Sequence, residues 1–141
     1  MKRILLIFIT TLLISGCVIG NATYQTSYKV NQNARIDHFV IKCTGYELIN
    51  EYNNEKPKND VFVKVNYEIM NNNSSSVLIK PETSFKLYKN NEFISGIGNE
   101  ITIDKESIED YTVIFDTSLE DSYKVLFYSN VVSNNIAFEL N

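Results

Sequence analysis

His38 and Cys43 are the one imidazole and thiol that this chain could combine as base and nucleophile. It holds a single histidine, and its other cysteine, Cys17, lies in an N-terminal segment of different character. The run Arg35-Ile36-Asp37-His38-Phe39-Val40-Ile41-Lys42-Cys43 alternates as a strand does, with Phe39, Ile41 and Cys43 facing one way and His38, Val40 and Lys42 the other. An odd separation on one strand sends the two groups to opposite faces, so they form no dyad. Cys43 then reads as a small buried hydrophobe and His38 as a surface residue. A triad of Asp37, His38 and a serine fails for the same reason, and no Gly-x-Ser-x-Gly elbow is present. Acidic residues gather at Asp104, Glu106, Glu109 and Asp110, and again at Asp116, Glu120 and Asp121. Neither group has the Asp-x-Asp-x-Asp-Gly spacing that converges oxygens on a hard cation, so they read as solvated turns and no metal is expected. Gly96-Ile97-Gly98 lacks the third glycine and following helix of a nucleotide fingerprint; it reads as a turn, and no cofactor is expected. Among nine tyrosines, Tyr67, Tyr111 and Tyr123 fall on core-facing parity. That leaves Tyr46, Tyr52, Tyr88 and Tyr128 as the candidate ligand-binding residues, since tyrosine rings stack on sugars and seat peptides.

The rest of the composition narrows the class. A chain of 141 residues that is 44% hydrophobic and 21% charged supports one globular core, which argues against a disordered chain and a polytopic membrane protein. The formal net charge is −4, and no basic cluster is denser than Lys56 with Lys58, so nucleic acid is not expected as a partner.

The N-terminus reads Met1-Lys2-Arg3, then an uncharged apolar run from Ile4 to Ile14, then Ser15-Gly16-Cys17. A basic start, a short apolar stretch and a small-residue exit are the parts of a secretory signal, and the run is shorter than the roughly 20 apolar residues a spanning helix needs. Ile14-Ser15-Gly16-Cys17 resembles the lipobox of bacterial lipoproteins, in which the cysteine is lipidated and becomes the first mature residue. The resemblance implies a cleaved signal over residues 1–16, lipid on Cys17, and anchoring to the extracytoplasmic face of the cell membrane by two acyl chains, which suffice where one is marginal. Cleavage removes Lys2 and Arg3 and makes the formal charge two units more negative; Cys43 is left as a lone thiol with no disulfide partner. Residues 17–33 are polar and weakly patterned and read as a lipidated flexible tether, which at this length spans on the order of 20 Å.

From residue 34 to 141, period-two alternation dominates. Val61, Val63, Val65, Tyr67 and Ile69 share one face of the clearest strand, with Lys64, Asn66 and Glu68 on the other. Further strands fit 77–80, 84–88, 92–97, 109–116, 122–128 and 134–140, separated by Asn-rich turns at 53–59 and 71–76 and by Asn90-Asn91, which suits a tight hairpin. Helix is limited to single turns, at 104–109 or at Ser118-Leu119-Glu120-Asp121, which opens with a capping-box-like spacing. The expectation is an all-β chain: an immunoglobulin-like antiparallel β-sandwich of about 7–9 strands.

The order of these elements, from Tyr28-Lys29-Val30 through Phe39-Val40-Ile41, the long Val61–Ile69 strand closing on Asn71-Asn72, Phe85-Lys86-Leu87-Tyr88 and Tyr111-Thr112-Val113-Ile114-Phe115, resembles the telokin-like, immunoglobulin-fold domain of unknown function 4352 found in Gram-positive lipoproteins. Such domains usually have glycine where this chain has Lys105-Glu106, and often in the hairpin that is here Asn90-Asn91. The family has no agreed catalytic residues, and none are implied. The implied role is a non-catalytic interaction or scaffolding module for another envelope or extracellular protein. The alternative is a glycan-binding or small-ligand-binding accessory lipoprotein using the surface tyrosines.

Overall fold

The period of two in residues 61–71 becomes a strand with Val63, Val65 and Ile69 fully buried, in a computed structural model that describes residues 26–129 and 134–141. The described elements are, in order, β1 (Ser27–Lys29), β2 (Asn33–Ile36), β3 (Phe39–Ile49), β4 (Val61–Asn71), β5 (Val77–Ile79), α1 (Pro81–Ser84), β6 (Phe85–Lys89), β7 (Glu92–Ser95), β8 (Ile101–Ile103), β9 (Ile108–Thr117), β10 (Tyr123–Tyr128) and β11 (Asn135–Leu140). One sheet has the order β1-β11-β10-β6-β7, the other β2-β3-β4-β9, and β5 pairs with β8 apart from both. The fold is an immunoglobulin-like β-sandwich. Its two main sheets hold nine strands, and the β5–β8 pair takes the number beyond the 7–9 expected.

Two expectations are corrected. Residues 27–33 belong to the sandwich rather than the tether: β1 pairs with β11, Ser27 opposite Ala137 and Lys29 opposite Glu139, so backbone hydrogen bonding overrides the polar composition. That pairing is parallel; the other ladders of the two main sheets are antiparallel, as expected. The capping-box spacing at Ser118 forms no helical turn, because Tyr123 takes over the local hydrogen bonds. Its hydroxyl accepts from the Glu120 N–H and donates to the Ser118 carbonyl, the tyrosine-corner arrangement of immunoglobulin domains. The short helix instead follows Lys80, where Pro81 supplies a first-turn residue that needs no N–H partner.

The core lies between the sheets and is built around rings. Tyr67 and Phe85 have centroids 4.9 Å apart, Phe85 and Phe127 5.1 Å, and Phe39 meets Phe127 edge-on at 5.6 Å. Between Cys43 and Gly45 the β3–β4 register shifts, and this bulge reverses parity along β3. Before it Phe39, Ile41 and Cys43 point inward; after it Glu47 turns outward beside Lys64, with which it makes a 2.6 Å ion pair. The Lys105-Glu106 turn and the Asn90-Asn91 hairpin have left-handed backbone, with φ of 57° at Glu106 and 47° and 64° at Asn90 and Asn91. Asparagine tolerates that region; glutamate does so at a cost.

Candidate functional site

Strand directions sort the loops into two groups. The β2–β3 turn at Asp37-His38, the β4–β5 loop and the end of β10 lie at one end; there Ser129 donates to the Asp37 carboxylate, and Asn134 does so at 3.3 Å. The β3–β4 loop, the β6–β7 hairpin and the β9–β10 corner lie at the other.

This second end carries several surface depressions. Phe62 faces outward on β4, yet is only 5% exposed, because the β3–β4 loop folds back over it and sets Tyr52 edge-on against it at 6.2 Å. The loop is closed on itself by a reciprocal backbone pair between Tyr52 and Glu55, with Asn53 and Asn54 left-handed between them. It is fixed to β9 by Asp116, whose carboxylate accepts the N–H groups of Lys58 (2.8 Å) and Asn59 (3.0 Å) and the Asn59 side-chain amide. Burial pulls this carboxyl upward, but those hydrogen bonds, with the nearby Lys58 charge, outweigh it and hold Asp116 below the usual carboxylate range. Beyond β9, Ile97 exchanges backbone hydrogen bonds with Ile114 and extends the sheet by one residue. Tyr52, Phe62 and Ile97 thus wall a depression of about 200 Å³, rimmed by Asn53, Glu55, Lys56, Lys58 and Asp116. A broader depression adjoins it at Asp116, and a second adjoins that one in turn. The first runs past Asn59, Asp116 and Ser118 to Lys89 and Asn90, the second lies between Tyr88, Tyr123 and Asn141. They meet at Lys89, which is paired with Glu120 at 2.6 Å and holds that carboxyl below its ordinary range.

The four candidate tyrosines are not brought together. Tyr46 points toward the core after the β3 bulge and packs on it, half-buried. Tyr52 belongs to the depression just described. Tyr88 stands on the outer face of the opposite sheet, tilted against Phe93 at 5.3 Å, its hydroxyl donating to Asn91 at 2.7 Å. Tyr128 ends β10 at the far end, half-buried, its hydroxyl pushed up by burial. Cys17 lies outside the described residues. His38 is exposed in the β2–β3 turn, whereas Cys43 is fully buried, its thiol pushed up to about 11 by burial against a smaller opposing hydrogen bond to Gly45. No group of three histidine, cysteine or acidic side chains among the described residues is arranged to hold a metal ion. Sequence reasoning missed Phe62 and Ile97 as site residues. The one available signal was Phe62 itself, an aromatic on the polar side of an otherwise strictly alternating strand.

No family model and no curated protein matches the chain. Solved structures do resemble it. The yjhA protein of Bacillus subtilis matches with a TM-score of 0.62 at 11% identity, covering 81% of this chain and 99% of that one. An uncharacterized β-sandwich protein of Clostridium difficile matches at 0.55 and 11% identity, covering 86% and 99%. A "putative lipoprotein", ycdA of Bacillus subtilis, matches at 0.60 and 15% identity over 77% of this chain; the chain spans only 38% of ycdA. At these identities the likeness is one of fold, and the fold shared with all three is the β-sandwich.

Proposed function

We propose that this chain is an extracytoplasmic lipoprotein of the domain 4352 type, tethered to the cell membrane through lipid on Cys17, whose sandwich is a non-catalytic interaction module for another envelope or extracellular protein. The observation that carries the reading is Ile14-Ser15-Gly16-Cys17, placed directly after a basic pair and a short apolar run and ahead of a single sandwich. The lipoprotein among its fold neighbours supports it. So does the distribution of chemistry: among the described residues the one thiol is sealed in the core, the one imidazole is exposed elsewhere, and the depressions described above converge no nucleophile on a base.

The strand directions add geometry to this reading. β1 runs parallel to β11, away from the Asp37 end, so the first described strand starts toward that end and the β3–β4, β6–β7 and β9–β10 loops lie at the opposite end. A platform of the four tyrosines for a glycan gains no support from their separation. The test is metabolic labelling with an alkynyl palmitate, together with fractionation of wild type and Cys17→Ser. Wild type takes up label and sediments with membranes; the variant is unlabelled and is released or retained as precursor. Equal labelling and fractionation of the two overturns the reading. Crosslinking in intact cells then identifies the attached protein.

A further inference from the structure

Four strands bound the two main sheets, β1 and β7 in one and β2 and β9 in the other. Three of these edges are guarded in the ways that discourage strand addition, by shortness, charge or cover. β1 has three residues and the exposed Lys29, β2 carries the exposed Arg35, and β9 has Glu109 and Asp110 exposed and Ile114 covered by Ile97. β7 differs, because past Glu92 at the turn it presents Phe93-Ile94-Ser95 with no charge. Its ladder to β6 uses the even positions, as the bond from the Gly96 N–H to the Phe85 carbonyl shows. The N–H and carbonyl groups of Phe93 and Ser95 therefore point away from β6, and among the described residues no backbone group pairs with them. Phe93 itself is 49% exposed, its ring tilted against Tyr88 on the outer face.

The free edge is closed at one end. At Ile97 both backbone groups are taken by Ile114, so β9 occupies that side of the chain. A long extended strand laid along β7 runs into β9 beyond Ser95, whereas a strand that turns back does not. The β6–β7 hairpin of a second copy is such a strand. Set antiparallel with Phe93 opposite Phe93 of the second copy, it brings its Asn91 level with Ser95 and turns away before Ile97. Each Phe93 then donates its N–H to the other's carbonyl, and Tyr88 and Phe93 of both copies form a row of four rings. Glu92 falls opposite Ile94, so like charges do not meet across the junction.

We propose that β7 is the contact through which two copies of this chain associate, joining their five-stranded sheets edge to edge about a two-fold axis at Phe93. The contact is small, so the dimer is weak and reversible. It goes beyond the reading of the chain as a lipoprotein interaction module and does not depend on lipid at Cys17.

The test is sedimentation equilibrium of the full chain in density-matched neutral detergent, from about 10 μM to 1 mM, with ¹⁵N amide shifts followed over the same series. A monomer–dimer equilibrium is expected, with concentration-dependent shifts centred on Tyr88, Phe93 and Ser95. Phe93→Lys and Phe93→Glu, at an exposed position, should each weaken association at least about tenfold by setting like charges face to face. An equimolar mixture of the two variants should recover at least about fivefold, because the axis places position 93 opposite itself. Arg35→Glu on the β2 edge leaves association unchanged. A chain that stays monomeric to about 1 mM overturns the proposal, as do dimers indifferent to both Phe93 variants or a mixture that does not recover. Failure here leaves the labelling test of Cys17 standing, and failure of that test leaves the dimer standing.

Discussion

Asn71 is fully buried at the end of β4, and its side chain joins segments distant in sequence. Its amide nitrogen donates to the carbonyls of Ser75 and Ile103 at 3.0 Å and approaches that of Asp104 at 3.3 Å; its oxygen accepts the Asn73 N–H at 2.9 Å. The Asn71 backbone completes the junction, donating to Ser107 and accepting from Glu106. Asn71→Asp keeps the shape and exchanges the donor for an oxygen facing three carbonyls. With a buried unsatisfied acceptor costing about 1–3 kcal/mol, and an unpaired buried carboxylate adding to it, the expected loss is about 3–5 kcal/mol at pH 7. Surrounded by acceptors, the new carboxyl has a folded-state pKa above its unfolded value of about 3.9. The unfolded chain therefore ionises first as pH rises, and the deficit relative to wild type grows above about pH 4 and is smaller in acid, by roughly 2 kcal/mol for a shift of one to two units. Asn71→Ala should cost about 2–3 kcal/mol with no such pH dependence. Urea unfolding followed by circular dichroism at pH 4 and pH 7 measures all three chains. A deficit for Asn71→Asp below about 1 kcal/mol at pH 7, or one that shrinks as pH rises, refutes the assigned donor geometry.

Three further outcomes are expected. Glu106→Gly relieves a left-handed glutamate and should raise stability by about 0.5–1 kcal/mol, read as an increase in Tm; an unchanged or lower Tm contradicts strain at that position. The carboxyl of Asp116 lies below its ordinary range, so its contribution is complete at neutral pH and is lost as pH falls through its folded-state value. Asp116→Asn should therefore differ from wild type at pH 7, by less than about 1 kcal/mol because the group is solvent-screened, and converge with it in acid, while tryptic cleavage after Lys58 accelerates. Cys43, sealed in the core with its thiol at about 11, should resist iodoacetamide at pH 8 in the native chain and react once unfolded; prompt native labelling counts against its burial.

The sandwich was legible where one strand face is buried and the other wet. In β4, Val61 to Ile69 on alternate positions gave both the element and its inward face. Legibility failed where that contrast fails. β10 carries Leu126 and Phe127 side by side, both fully buried, so its alternation is blurred although its extent was read nearly correctly. β1 has no apolar pattern, and its place follows from β11, a pairing more than a hundred residues away. The bulge after Cys43 hid the second half of β3, because one extra residue inverts the face of everything beyond it. Tyr52 was readable as a candidate only by residue type; its neighbours Phe62 and Ile97 come from other elements. The depression depends on a loop folding back over the sheet, which spacing along the chain does not encode.

Net charge also proves a poor guide to this surface. The chain is acidic overall, and its acidic groups looked like simple solvated turns, yet Asp116 is spent internally on the N–H groups of Lys58 and Asn59. That internal use fixes the loop that walls the depression, and it keeps Asp116 ionised, because hydrogen bonds from N–H groups stabilise the carboxylate without cancelling its charge. Asp116 and Glu55 therefore offset Lys56 and Lys58 on the rim of the depression, and a residue that reads as one more solvated acid in the sequence is the clamp that holds the β3–β4 loop to β9.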